Sequence, residues 1–274
     1  MAAGPHTTVM RELLVRYLDF WVPAAVGHGR PATYLDSTGY GPAAALRVFV
    51  EFADLLAGRE LSLLVAGQPP ADPGVAGLRV AAAPPDPATA VGGGPVLAHL
   101  AGEPPGALLA ALGAARAGEL LLVTGPQPGD PRQPLYGAGF AYAVAVELVD
   151  RDGRAELLRF ATSASRSLER FKDELWAVDE FAGVRYRDPT GPDAVPLDIS
   201  NEPHPGPLRR ALLEHLSGGP PRTLTDLRAY ALAHTLYRPA DVPRALHPLL
   251  ARGTLTRDPE RGRLTGATVV RLTG

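Results

Sequence analysis

Four residues have types and spacing that suit a small-molecule site: Asp36, Gly39, Gly41 and, further along, Glu103. The first three lie in RPATYLDSTGYGP, residues 30–42, where a short apolar run at 32–35 ends in an acid. A loop with two glycines then opens into an alanine-rich periodic segment at 43–56. That is the pattern of strand, glycine turn and helix. In an open α/β sheet, ligands lie beyond the carboxyl ends of the strands, glycines allow close backbone approach, and the next helix N-terminus favours a phosphate or carboxylate. Other chemistry finds no constellation. Ser163, Ser165 and Ser167 have no predictable His–Asp pair, and no G-x-S-x-G elbow occurs. His204, His215, His234 and His247 lack metal-ligand spacing. No residue is therefore assigned a catalytic role, and no metal site is expected. The GHG around His28 reads as a loop. The triple glycine Gly92, Gly93, Gly94 follows no clear strand and reads as a flexible connection rather than a phosphate loop.

The elements that must position the glycine turn follow from periodicity. Met10, Leu13, Leu14, Tyr17, Leu18 and Trp21 give residues 9–22 one helical stripe, with Thr7 or Thr8 as N-cap and Pro23 ending or kinking the helix. LSLLVA at 61–66 and LLLVT at 120–124 are near-continuous apolar runs, as expected of strands buried on both faces. Further strands are expected at 78–83 and 96–100, and helices at 43–56 and 106–116. Strands alternating with helices predict a Rossmann-like, mostly parallel doubly wound sheet. Residues 140–149 and 155–162 flank the turn DRDGR and predict an antiparallel pair at the sheet edge. An amphipathic helix follows within 163–179, with Ser163 or Ser165 as cap. The proline-rich stretch after it sets the expected division: a domain over 1–190, a linker over 191–204 and a second domain over 205–274.

Composition narrows the functional classes. Cysteine is absent, which excludes disulfides, a thiolate nucleophile, cysteine-ligated zinc and iron–sulfur clusters held by this chain. The first residues show no basic segment followed by an apolar one, and no run is long enough to span a bilayer, so a cytoplasmic protein is expected. The net charge of −2 hides a division: residues 205–274 carry 11 arginines against 5 acids, whereas the preceding 204 carry 16 basic and 24 acidic side chains. The basic tail reads as three short helices at 208–216, 224–234 and 239–251, with Thr223 or Thr225 capping the second, then two strands around DPERGR. That order spells a winged helix. Its third helix would offer Arg244, with Arg238 before it and Arg252 at its end, and its wing Arg257, Arg261 and Arg263, a clustering suited to nucleic-acid phosphates.

RELLVRYLDFW, YLDSTGYG, LLRFATSASRSLERFKDELWAVDEF and the winged-helix tail occur in an order that resembles the three-Cys-motif partner protein (TcmP) family. The resemblance implies a class I methyltransferase-like fold, a C-terminal winged helix and a separate radical-SAM-like partner carrying three cysteines. It also implies S-adenosylmethionine (SAM) as the ancestral cofactor, with Asp36, Gly39, Gly41 and Glu103 at its site. The departures point away from catalysis. The family's first strand runs into D-G-F-A-G-P-G, whereas here the loop is about one residue shorter, with Ser37 and Thr38 in place of the Gly and Phe. The strand that should end in a ribose-binding acid runs into Gly67, Gln68 and Pro69. The expected Asp-Pro-aromatic segment is replaced by Leu100, Ala101, Gly102 and Glu103, and Thr124, Gly125 and Pro126 supply no acid either. The sequence thus leads to a degenerate, non-catalytic accessory protein without a bound cofactor, with a SAM-dependent methyltransferase as the alternative.

Overall fold

A computed structural model describes residues 4–179, 182–191 and 196–273. Glu180 and Phe181 of the quoted signature, and residues 192–195 of the expected linker, lie outside the described residues. Contacts divide the chain into Met1–Ile199 and Ser200–Gly274.

The first unit opens with α1 (Pro5–Gly27), which buries Met10, Leu13, Leu14, Tyr17, Leu18 and Trp21 along one stripe. Neither Thr7 nor Thr8 caps it. Pro5 occupies the first turn, where its missing N–H costs nothing, and Thr8 Oγ1 donates to Gly4 O at 3.2 Å. The helix also continues through Pro23. Trp21 and Val22 before the proline and Ala25 and Val26 after it are all buried, and that burial outweighs the one lost backbone bond.

Next come β1 (Ala32–Asp36), α2 (Gly41–Glu51) and α3 (Ala53–Leu56), so the helix expected over 43–56 is broken at Phe52. They are followed by β2 (Leu61–Val65), β3 (Leu78–Ala82), β4 (Val96–Ala101), α4 (Gly106–Ala114) and β5 (Gly118–Thr124). After α5 (Gln133–Gly137) come β6 (Tyr142–Asp150), β7 (Ala155–Thr162), α6 (Ser165–Trp176) and β8 (Val184–Arg187). No serine caps α6; Ala164 holds that position, its N–H donating to Thr162 Oγ1 at 3.1 Å.

The strand order is β3-β2-β1-β4-β5-β7-β6-β8. The first five are mutually parallel, β7 runs antiparallel to β5 and β6, and β8 runs antiparallel to β6. This is a Rossmann-like, class I methyltransferase-like sheet with an antiparallel side. The expected hairpin is present as β6 and β7, but it is not the edge. β8 lies outside it, anchored by Tyr186, which is fully buried and donates to Leu175 O at 2.7 Å.

Side chains alternate across the sheet, giving two cores. One gathers Leu35, Ala98, Leu100, Leu120 and Leu122 with Leu108 and Leu112 of α4. On the other face Tyr17 packs edge-on against Phe160, which stacks on Phe171 with centroids 4.2 Å apart. The order reverses between β1 and β4, and the register sets Asp36 beside His99 at their carboxyl ends. That junction is where an open α/β sheet binds its ligand.

The second unit contains α7 (Gly206–Ser217), β9 (Arg222–Thr223), α8 (Leu224–His234), α9 (Val242–Ala251), β10 (Leu255–Asp258) and β11 (Val269–Leu272). Three helices and a terminal hairpin thus occur in the order read from the sequence, and β9 joins the hairpin as a third strand. Thr223 caps α8 in a reciprocal capping box with Asp226. Among the described residues, no helix is long and apolar enough to cross a membrane.

Candidate functional site

Asp36 is the centre of the sheet junction, and its side chain is fully buried. Thr38 N and Thr38 Oγ1 donate to its Oδ1 at 2.6 and 2.8 Å. Tyr34 OH and His99 Nδ1 donate to its Oδ2 at 2.5 and 2.9 Å. A carboxylate offers about four acceptor positions, and all are taken by the chain itself. With Nδ1–H committed to Asp36, His99 Nε2 is left as an acceptor for Tyr40 OH at 3.1 Å. Burial, reinforced by the Asp36 charge, pushes the Tyr34 and Tyr40 phenols up, so both keep their protons and serve as donors. Arrayed this way, Asp36, His99 and Tyr40 form a closed polar plug.

The glycines take different roles around that plug. A Cβ on Gly41 would stand 2.0 Å from Asp36 Oδ2, 2.6 Å from Thr38 Oγ1 and 2.7 Å from His99 Nδ1. Gly41 is therefore required by the chain's own polar cluster. Its N–H, the first of α2, donates to Thr38 Oγ1 at 2.9 Å, so that donor is taken as well. A Cβ on Gly39 would meet nothing within 4 Å.

Glu103 makes its contacts apart from Asp36. Its carboxylate, mostly exposed, receives Arg159 Nη2 at 3.2 Å and a bond from Gln127. Arg159 reaches it from β7, fully buried and also within 3.3 Å of Thr124 Oγ1. The end of β2 supplies no acid: Val65 leads to Ala66, whose N–H donates to Asp36 O, and then to Gly67 at φ 112°. SAM needs acceptors for its ribose hydroxyls and its ammonium group. Asp36 has a donor at every acceptor position, the residues that directly follow β2 carry no carboxylate, and Glu103 is paired with Arg159 at 3.2 Å. Among the described residues, no group of three potential ligands could hold a metal.

The sequence reading missed His99, Tyr34 and Tyr40. The signals were there: a histidine inside the apolar run VLAHLA, and a tyrosine two residues before Asp36, on the same face of its strand.

In the second unit, the six arginines singled out for phosphate contact divide. Arg238 and Arg244 both bind buried Asp241, at 3.0 and 3.4 Å, and donate to Asn201 O and Pro203 O. They fasten the 201–203 segment to the start of α9. Arg257 holds the turn after β10 through Glu260 O and Gly262 O, at 3.0 and 2.8 Å. Arg252, Arg261 and Arg263 are exposed, and among the described residues none has a carboxylate within 4 Å. Arg228, which the sequence reading passed over, joins His247, Arg257 and Arg263 around a cavity of about 720 Å³ between α9 and the segment from β10 to Leu264.

No family model and no curated protein matches the chain. Among solved structures, a T. thermophilus 16S rRNA N2 G1207 methyltransferase (RsmC), in complex with AdoMet and guanosine, is similar at 18% sequence identity and a TM-score of 0.26. The likeness covers 48% of this chain and 35% of that one. The fold assignment rests on strand order and register.

Proposed function

We propose that the chain is a non-catalytic, methyltransferase-like accessory protein that holds no SAM at the sheet junction. The observation that carries this reading is the saturation of Asp36: two donors on each oxygen, no exposure, and Gly41 pressed against it. A ligand could engage that carboxylate only after a buried donor had been displaced and left unsatisfied, at a cost of about 1–3 kcal/mol for each group. We read the second unit as a winged helix with three exposed arginines, Arg252, Arg261 and Arg263, of which Arg263 lines the groove between α9 and the wing. Its partner is then a nucleic acid bound through phosphates. Docking on a radical-SAM-like three-cysteine protein is the companion role that the family resemblance suggests.

Two measurements test this. Thermal unfolding of the full chain with and without millimolar SAM is expected to give one midpoint. A ligand present at about 100 times its Kd would add about 2.7 kcal/mol, so a clear upward shift that calorimetry confirms as stoichiometric binding would restore the methyltransferase alternative. Duplex binding, measured across a salt series, is expected to weaken steeply and to lose part of its slope in the Arg261→Ala/Arg263→Ala double variant. Salt-independent binding would remove the nucleic-acid half of the reading.

A further inference from the structure

The His28 loop and the triple glycine, both left without a role above, meet at the opposite, amino-terminal end of the sheet. They line a cavity of about 690 Å³, within the range of small-molecule sites, which also takes in Trp21, Arg116 and Glu119. The triple glycine is not a slack connection. A Cβ on Gly94 would stand 1.9 Å from Pro31 O, so this loop is pressed against the residue that precedes β1. Arg30 Nη1 then donates to Gly93 O at 2.8 Å, fixing the guanidinium at the cavity rim; among the described residues its other donors have no partner.

The cavity has two chemically distinct ends. At the rim, Arg30 and Arg116 are exposed, and among the described residues neither has a carboxylate within 4 Å. His28 stands with them, its Nδ1 bonded to Ala24 O at 2.7 Å. At the floor lies Glu119, buried, accepting from Tyr17 OH at 2.6 Å and Thr162 Oγ1 at 3.5 Å, with Ser167 also within hydrogen-bonding reach. Among the described residues these three partners leave one of its about four acceptor positions open. Phe20, Trp21, Ala25 and Pro95 make the wall between the two ends largely apolar and aromatic.

We propose that this cavity is a ligand site for an aromatic phosphate of the nucleoside monophosphate class. The phosphate lies between Arg30 and Arg116, the ring packs along Phe20 and Trp21, and an N–H of the base donates to Glu119. Two unpaired guanidiniums suit a phosphate dianion better than a single carboxylate, because each contributes a charge-assisted bond. The site lies away from the Asp36 junction and does not depend on whether that junction binds SAM.

AMP titrated into the full chain tests the proposal, read through tryptophan fluorescence. Trp21 lines the cavity, and the other tryptophan, Trp176, packs on Tyr186, so a Trp176→Phe background isolates the signal. AMP is expected to give a saturable change, with adenosine and inorganic phosphate each at least about tenfold weaker. Arg30→Gln and Arg116→Gln are each expected to weaken AMP about tenfold, the loss of one charge-assisted bond, while leaving adenosine unchanged. Both arginines are exposed, so unchanged melting midpoints in the variants will show that folding is intact. The proposal is overturned if millimolar AMP gives no saturable signal. It is overturned equally if adenosine binds as well as AMP, or if AMP binds both arginine variants as tightly as the parent.

Discussion

Asp36 and Glu119 are buried acids at opposite ends of the parallel part of the sheet, and they are held in opposite ways. Asp36 ends β1 with two donors on each oxygen and no exposed surface. Glu119 sits in the second position of β5, has fewer donors and faces a cavity. Burial pushes the Glu119 carboxyl up, and Ser167, Tyr17 and Thr162 offset this only in part. One end of the sheet has spent its polar groups on itself; the other keeps some in reserve. Position in the fold alone would have assigned the ligand to the first end. The donor count assigns it to the second.

The comparison breaks first if Asp36 proves dispensable. Asp36→Asn removes the charge that four donors converge on and sets an amide N–H against one of them. Breaking a buried charged network costs about 3–5 kcal/mol, and denaturant unfolding should show a loss of that order. A loss below about 1 kcal/mol, the scale of an average point substitution, would mean that the plug is not structural and that Asp36 is open to another role.

The two glycines sharpen the contrast at smaller magnitude. Gly41→Ala drives a methyl into Asp36 Oδ2 and should cost about 1–3 kcal/mol, as overpacking does. Gly39→Ala meets open space, and its effect should stay within about 0.5 kcal/mol. Chemical denaturation of the pair reads the difference directly. Equal effects would show that the loop does not rest on the plug.

These glycines also mark what the sequence disclosed. Strand, glycine turn and helix were legible because apolar run lengths and glycine punctuation are local signals, and β1, β2, β4, β5 and β7 all follow from them. Gly41 and Gly39 looked alike in the sequence. Only the folded contacts of Gly41 with Asp36, Thr38 and the distant His99 separate one as a packing requirement from the other. β8 was missed because four residues, VRYR, carry too little periodicity, and it is cross-strand pairing with β6 that defines it. Pro23 reads as ending or kinking the helix, and it does not end it: a proline's local cost is outweighed by the tertiary burial on either side of it. In the tail the arginines were visible as charge, but Arg238 and Arg244 are committed to Asp241, and nothing in their spacing announces that. The amino-terminal cavity was the least legible part, because its wall comes from four separated segments, around residues 20–30, 92–95, 115–119 and 162–167.

The smallest effect concerns the reserve at Glu119 and is read as a pH dependence. In the unfolded chain a glutamate loses its proton near its ordinary value of about 4.3. In the native state burial raises that point, so between the two values the folded protein binds the extra proton and its stability falls as pH rises. Above the raised native value the loss is complete and levels off. Glu119→Gln keeps an acceptor for Tyr17 and never ionises, so it lacks this loss. Its stability curve should run with the parent's at the acid end and lie above it toward neutral pH. Asp19 and Glu174, also raised chiefly by burial, titrate in both proteins and cancel in the difference. Parallel curves across the whole range would mean that Glu119 is as well supplied with donors as Asp36, and the distinction between the two ends of the sheet would be lost.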